Sequence, residues 1–216
     1  MPTIHGVNAS PFVRKVRAVL EEKGVAYELN PVMPFGPSAE FLAMSPLGKI
    51  PVYQDGSFSV PDSSVIAQYL ERKHPKPALY PANDEAFAHA LFLEEYADTK
   101  LIEVTAPVFV QRVINKMIMK IEPNEEIVRS ALTERIPPVF DYLERRAPDG
   151  DGAIEGRFGI ADIAVASPIV NFEHAGETID AARWPRLAAW VARVHARPSF
   201  KKLIEEEKAG FAAIKG

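Results

Sequence analysis

The stretch HGVNASPFVRKVRAVLEEKG, His5–Gly24, joins a short apolar strand to an amphipathic helix at the pair Ser10-Pro11. A serine hydroxyl accepts a main-chain N–H at a helix start, and proline suits the first helical turn. Phe12, Val13, Val16, Val19 and Leu20 recur at helical spacing, and Gly24 supplies the stop. TIHGV (Thr3–Val7) before it reads as a strand, and AYELNPV after it alternates apolar and polar residues as a second strand. Further on, SAEFLAM from Ser38 reads as a short helix. IPVYQDGSFSV carries two apolar runs around Asp55-Gly56, a pair that favours a tight hairpin turn. DSSVIAQYLERKH opens on capping residues, places Val65, Ile66, Tyr69 and Leu70 at helical spacing, and stops before Pro75. The order βαβ, helix, hairpin, helix predicts a small α/β domain with a mixed sheet.

HPKPALYPAND (His74–Asp84) contains three prolines and no periodic pattern, which marks a linker. The expected division is a first domain over 1–76, a linker over 77–84 and a second domain over 85–216. No convincing strand follows Glu85. About five helical stretches do, and Pro107, Pro137, Pro138 and Pro168 are expected to kink or interrupt them.

The totals remove several classes of function. A net charge of −4, distributed as +1 over residues 1–80 and −5 over the rest, lacks the basic surplus of a nucleic-acid binder. Cysteine is absent, so a disulfide framework, a thiolate metal site and a cysteine nucleophile are excluded by composition. No apolar run approaches the length of a membrane span, and the N-terminus lacks a signal pattern, so a cytoplasmic protein is expected. The five histidines show no metal-ligand spacing, and no glycine-rich phosphate loop or nucleophile elbow is present.

The chemistry-bearing residues sit at element junctions. Ser10 has one donor beside its two acceptor lone pairs, so it can cap its helix and still donate to an anion there. GKIPV reads as a proline opening a strand, with Lys49 solvated. DSS at Asp62–Ser64 reads as a helix cap, and GIAD (Gly159–Asp162) as a structural helix start with glycine at the cap.

In this order and spacing, SPFVRKVRAVLEEKG, SPLGKIPV, DSSVIAQYLE and FGIADIAVASPI resemble the cytosolic glutathione transferases that use serine, the theta, phi and zeta classes. The resemblance covers the whole chain. It implies a thioredoxin-like N-terminal domain with a mixed four-stranded sheet and an all-α C-terminal domain. It also implies a cis Ile50–Pro51 bond, glutathione as co-substrate with no further cofactor or metal, and a homodimer. By resemblance Ser10 donates to the glutathione sulfur, and Ile50 pairs its main chain with the cysteinyl unit beside Pro51. Lys49 reaches an anionic end, Asp62 takes the γ-glutamyl ammonium and Ser63 its carboxylate. The shorter Asp62 stands where many members have glutamate or glutamine. Phe12, Phe35, Arg112 and Asn115 are expected to line a pocket for a small apolar electrophile. The implied reaction is conjugation. Glutathione-dependent peroxide reduction, isomerisation, or a non-catalytic binding module are the alternatives.

Overall fold

The computed structural model describes residues 1–33 and 35–215, with side chains to Ala213. The chain divides into two compact units, Met1–Tyr80 and Pro81–Gly216.

The first unit runs β1 (Thr3–His5), α1 (Pro11–Glu22), β2 (Glu28–Asn30), α2 (Ala39–Met44), β3 (Val52–Asp55), β4 (Phe58–Pro61), α3 (Ser63–Lys73). The four strands form one mixed sheet in the order β2-β1-β3-β4. β1 pairs parallel to β2 and antiparallel to β3, and β3 pairs antiparallel to β4. This is the thioredoxin-like layout that the resemblance implies. The Asp55–Phe58 hairpin turns through Gly56 at φ +61°, a backbone region open to glycine at little cost. β2 is shorter than its alternating stretch suggests. It is an edge strand with β1 as its neighbour, and three residue pairs make up that ladder.

Ile4, Val13, Val16, Val19, Leu20, Tyr53, Ile66 and Leu70 fill the core of this unit. At the foot of α1 the buried Lys23 ammonium pairs with Glu71 at 2.7 Å and donates to the carbonyls of His74 and Pro77. Glu71 also accepts from Leu79 N–H, so one lysine and one glutamate fix the proline-rich exit.

The second unit is helical, and five continuous stretches cover most of its described residues. α4 (Asp84–Tyr96) and α5 (Ile102–Phe109) are joined and extended by π-helical segments at Ala97–Leu101 and Val110–Met119. α6 (Glu125–Ser130) passes through a π segment, Ala131–Arg135, into α7 (Ile136–Arg146). α8 (Ile160–His174), α9 (Pro185–His195) and α10 (Pro198–Lys215) follow.

Two of the expected proline interruptions do not end their helices: Pro107 lies inside α5 and Pro168 inside α8. Proline at 107 cannot donate to the carbonyl of Glu103, four residues back. Arg135 Nη2 donates to that oxygen instead, at 3.3 Å. Pro137 and Pro138 do not end their stretch either, since the π segment Ala131–Arg135 runs directly into α7. α8 is buried from Ile160 to Phe172, which makes it the core helix of this unit.

Candidate functional site

Three element junctions of the first unit meet at one edge of its sheet. The ladder pairs His5 with Val52, and Val52 with Pro61, so these three residues are lateral neighbours across β1, β3 and β4. The chain leaves β1 toward Ser10, enters β3 from Ile50 and Pro51, and leaves β4 into Asp62 and Ser63. Two strand spacings separate the outer junctions, roughly 10 Å. An extended peptide of three residues reaches about the same distance.

At the first junction Ser10 has extended backbone angles, and its Oγ accepts from Val13 N–H at 3.4 Å. The cap uses an acceptor lone pair, and the hydroxyl proton is a separate resource. No acidic residue occupies the first turn of α1, so the positive end of the helix dipole is not offset from within the helix. Phe12 is half-buried in that turn.

At the second junction the Ile50–Pro51 bond is cis. Ile50 is buried, and its main chain lies beyond the last β1–β3 pair. Ser45, wholly buried, fixes the approach: its hydroxyl donates to the Lys49 carbonyl at 2.8 Å and accepts from Lys49 N–H at 3.3 Å. The Lys49 side chain is exposed. Gly6 lets Ile50 and α1 come this close, since a Cβ there would stand 2.5 Å from Val13 Cγ2 and 3.4 Å from Ile50 Cβ. Gly6→Ala is expected to overpack this corner and cost about 2 kcal/mol in urea unfolding. An unchanged unfolding midpoint would show that the corner has slack.

At the third junction Asp62 caps α3, with Oδ1 accepting from Ser64 N–H at 3.0 Å and Val65 N–H at 3.1 Å. Its backbone sits at φ +77°, ψ 126°, a conformation that costs a non-glycine residue about 1–3 kcal/mol and recurs at ligand clamps. The cap takes the N–H groups of Ser64 and Val65 and not that of Ser63, a buried residue at the helix end. Lys15, buried in α1, donates to Ser64 Oγ at 2.9 Å and ties the two helix starts together.

The remaining expected pocket residues fall elsewhere. Phe35 is 69 % exposed in the loop after β2. Arg112 and Asn115 lie in the helical unit on the π segment Val110–Met119. There Arg112 pairs with Glu177, donates to the Ala175 carbonyl and stands 3.8 Å from Glu125. Asn115 donates to Gln111, whose Oε1 also accepts from Asn124 N–H. Both side chains thus brace their own unit. The exposed apolar surface around them comes from Ile118, Met119, Ile121 and Ile127. Among the described residues no cluster of three or more His, Asp or Glu converges to hold a metal ion. No described helix is long and apolar enough to cross a membrane.

Gly6, Ser45 and Lys15 were not selected from the sequence as functional residues. Their roles are contacts between distant parts of the chain, and only the serine of SPLGKIPV carried a local signal.

Residues 4–78 match the glutathione S-transferase N-terminal domain, and residues 126–193 match the glutathione S-transferase C-terminal domain. The chain belongs to the glutathione S-transferase family. A glutathione S-transferase of Hyoscyamus muticus is 29 % identical over 210 residues, covering 94 % of this chain and 97 % of its own. The crystal structure of a glutathione S-transferase from Sinorhizobium meliloti 1021 superposes with a TM-score of 0.83 at 28 % identity, covering 94 % of this chain and 91 % of that one. A glutathione S-transferase from Methylobacterium radiotolerans JCM 2831, solved in complex with glutathione sulfonate, gives a TM-score of 0.75 at 29 % identity, covering 94 % of each chain. The chain is accordingly a glutathione S-transferase with glutathione as co-substrate.

Proposed function

We propose that this glutathione transferase binds the tripeptide along the three-junction edge and conjugates its sulfur to small apolar electrophiles. The observation that supports this reading most is the register His5–Val52–Pro61, which lines up the three junctions over a tripeptide's length. Ser10 donates its free proton to the sulfur and favours the thiolate. Ile50 pairs its main chain with the cysteinyl unit beside cis Pro51, as one residue of an added strand. Lys49 faces the glycyl carboxylate. The Ser63 N–H and hydroxyl receive the γ-glutamyl carboxylate at the N-terminus of α3, and Asp62 pairs with the ammonium.

Phe12 and Phe35 are assigned to the electrophile pocket on the first unit. The working form is a homodimer in the cytoplasm.

The test is a steady-state assay with glutathione and a chloronitrobenzene, beside an organic peroxide and an isomerisable enone. Conjugation as the fastest reaction supports the proposal. Binding of glutathione with no turnover of any of the three would instead support a ligand-binding module. Turnover confined to the peroxide or the enone would assign the alternative reaction.

A further inference from the structure

We propose that Arg17, acting through Asn8, is a positioning residue that holds the loop in front of Ser10 and thereby places the Ser10 hydroxyl against the glutathione sulfur. The inference rests on the reading that Ser10 donates to that sulfur.

Arg17 lies seven residues after Ser10, almost two full turns along α1, so the two share a helix face. Long side chains on a helix lean toward its N-terminus, and that lean carries the Arg17 guanidinium back to the β1–α1 loop. There Nη1 donates to Asn8 Oδ1 at 2.7 Å. The other edge of the guanidinium is anchored, because Nε donates to Tyr27 Oη at 2.8 Å. Tyr27 Oη in turn donates to Glu21 Oε1 at 3.0 Å. Burial pushes the Tyr27 hydroxyl up to about 12, so it keeps its proton for Glu21 while accepting from arginine. The chain Glu21–Tyr27–Arg17–Asn8 therefore runs from the last turn of α1 back to the residues ahead of its first. Arg17 is only 4 % exposed, in keeping with a fixed anchor.

The loop it holds is short. Gly6–Ala9 separates β1 from the Ser10 cap, and Ser10 N–H donates to the Val7 carbonyl at 3.1 Å, closing a turn with Asn8 inside it. A rotation at Asn8 is passed through Ala9 directly to the Ser10 backbone. The Ser10 cap bond is long at 3.4 Å, so it constrains the hydroxyl weakly. The guanidinium bond to Asn8 is short and charge-assisted, which makes it the firmer restraint. A displacement of about 1 Å at a reacting centre is enough to cost up to 100-fold in rate.

The experiment compares wild type, Asn8→Ala and Arg17→Met, each alone and combined with Ser10→Ala. It reads kcat, KM for glutathione, and the thiolate absorption of bound glutathione as a function of pH. Asn8→Ala and Arg17→Met are expected to lower kcat about fivefold with KM within about twofold. The titration midpoint of the bound thiol should rise by about one pH unit. In the Ser10→Ala background neither change should lower kcat further, because the hydroxyl they position is gone. Equal losses in both backgrounds, or an unmoved thiol midpoint, would overturn the proposal. Asn8→Ala keeps the test decisive if Arg17→Met fails to fold. Absence of a thiolate band in the wild type would instead overturn the role of Ser10 itself, and this inference with it.

Discussion

Replacing Ser10 by alanine is expected to lower turnover with a chloronitrobenzene at least about tenfold at neutral pH while glutathione affinity changes little. A thiol of pKa ~8.5 is about 3 % ionised at pH 7, and one lowered to ~6.5 is about 75 % ionised. That gain of about 25-fold is offset by a loss of roughly 6- to 10-fold in nucleophilicity as basicity falls. Thiol ionisation thus accounts for only a few-fold, and the rest of the loss comes from a sulfur no longer held in line. Binding survives because the Ile50 main chain and the α3 N-terminus are untouched. Two signatures separate this from damage to the fold. The deficit should shrink as pH rises toward the thiol's own pKa, and Ser10→Thr should recover much of the rate, since threonine also caps a helix and carries a hydroxyl. The lost cap itself costs about 1 kcal/mol in stability, visible as a lower melting temperature.

Asp162→Ala is expected to produce the largest loss of stability, about 4 kcal/mol or more. The carboxylate is 1 % exposed at the start of α8 and accepts three bonds: from Gly159 N–H at 2.9 Å, Ala153 N–H at 3.0 Å and Trp190 Nε1–H at 2.7 Å. Gly159 has no side chain with which to cap the helix, so the capping falls on Asp162. Alanine would strand all three donors in the interior, at about 1–3 kcal/mol each. Asp162→Asn should fall between. It keeps an acceptor for Ala153 and Trp190, both on Oδ1, but sets an NH2 against Gly159 N–H.

The same carboxyl gives a pH dependence. Burial pushes it up to about 6 against the pull of its three donors. A group raised on folding contributes stability that is present below its unfolded value and is lost as pH rises through the folded value. The advantage of wild type over Asp162→Ala should therefore be about 1 kcal/mol greater at pH 5 than at pH 7.5. Urea unfolding of both proteins at the two pH values measures it, and equal differences would remove the effect of burial.

The local signals in the sequence were strong enough to order the first unit. Ser10-Pro11, Ser38 and Asp62 each cap the helix that the spacing predicts, and Gly56 turns the hairpin after Asp55. What the sequence could not show is register. Nothing in its pattern says that Val52 lies between His5 and Pro61, yet that alignment brings the three junctions of the candidate site side by side. Gly6 was equally silent, because its role is the space it leaves between Val13 and Ile50. Arg17 carries no local signal, since its partners Asn8 and Tyr27 lie on either side in sequence and meet only in the folded chain. In the helical unit the apolar periodicity located the stretches but not their π segments, nor the bond from Arg135 to the Glu103 carbonyl that Pro107 leaves without its helical donor. The pocket residues were the least legible. Arg112 and Asn115 were expected there only from the resemblance, and the structure commits both to bracing bonds.

The central claim is that a tripeptide thiol lies along the edge where β1, β3 and β4 hand over to Ser10, Ile50 and Asp62. Calorimetric titration of glutathione into the full chain tests it most directly, with Asp62→Ala run beside the wild type. The account predicts one glutathione per chain with a dissociation constant of about a millimolar or tighter, weakened at least about tenfold by Asp62→Ala. Absence of binding heat to the wild type through the millimolar range, or equal affinity in the variant, would contradict it.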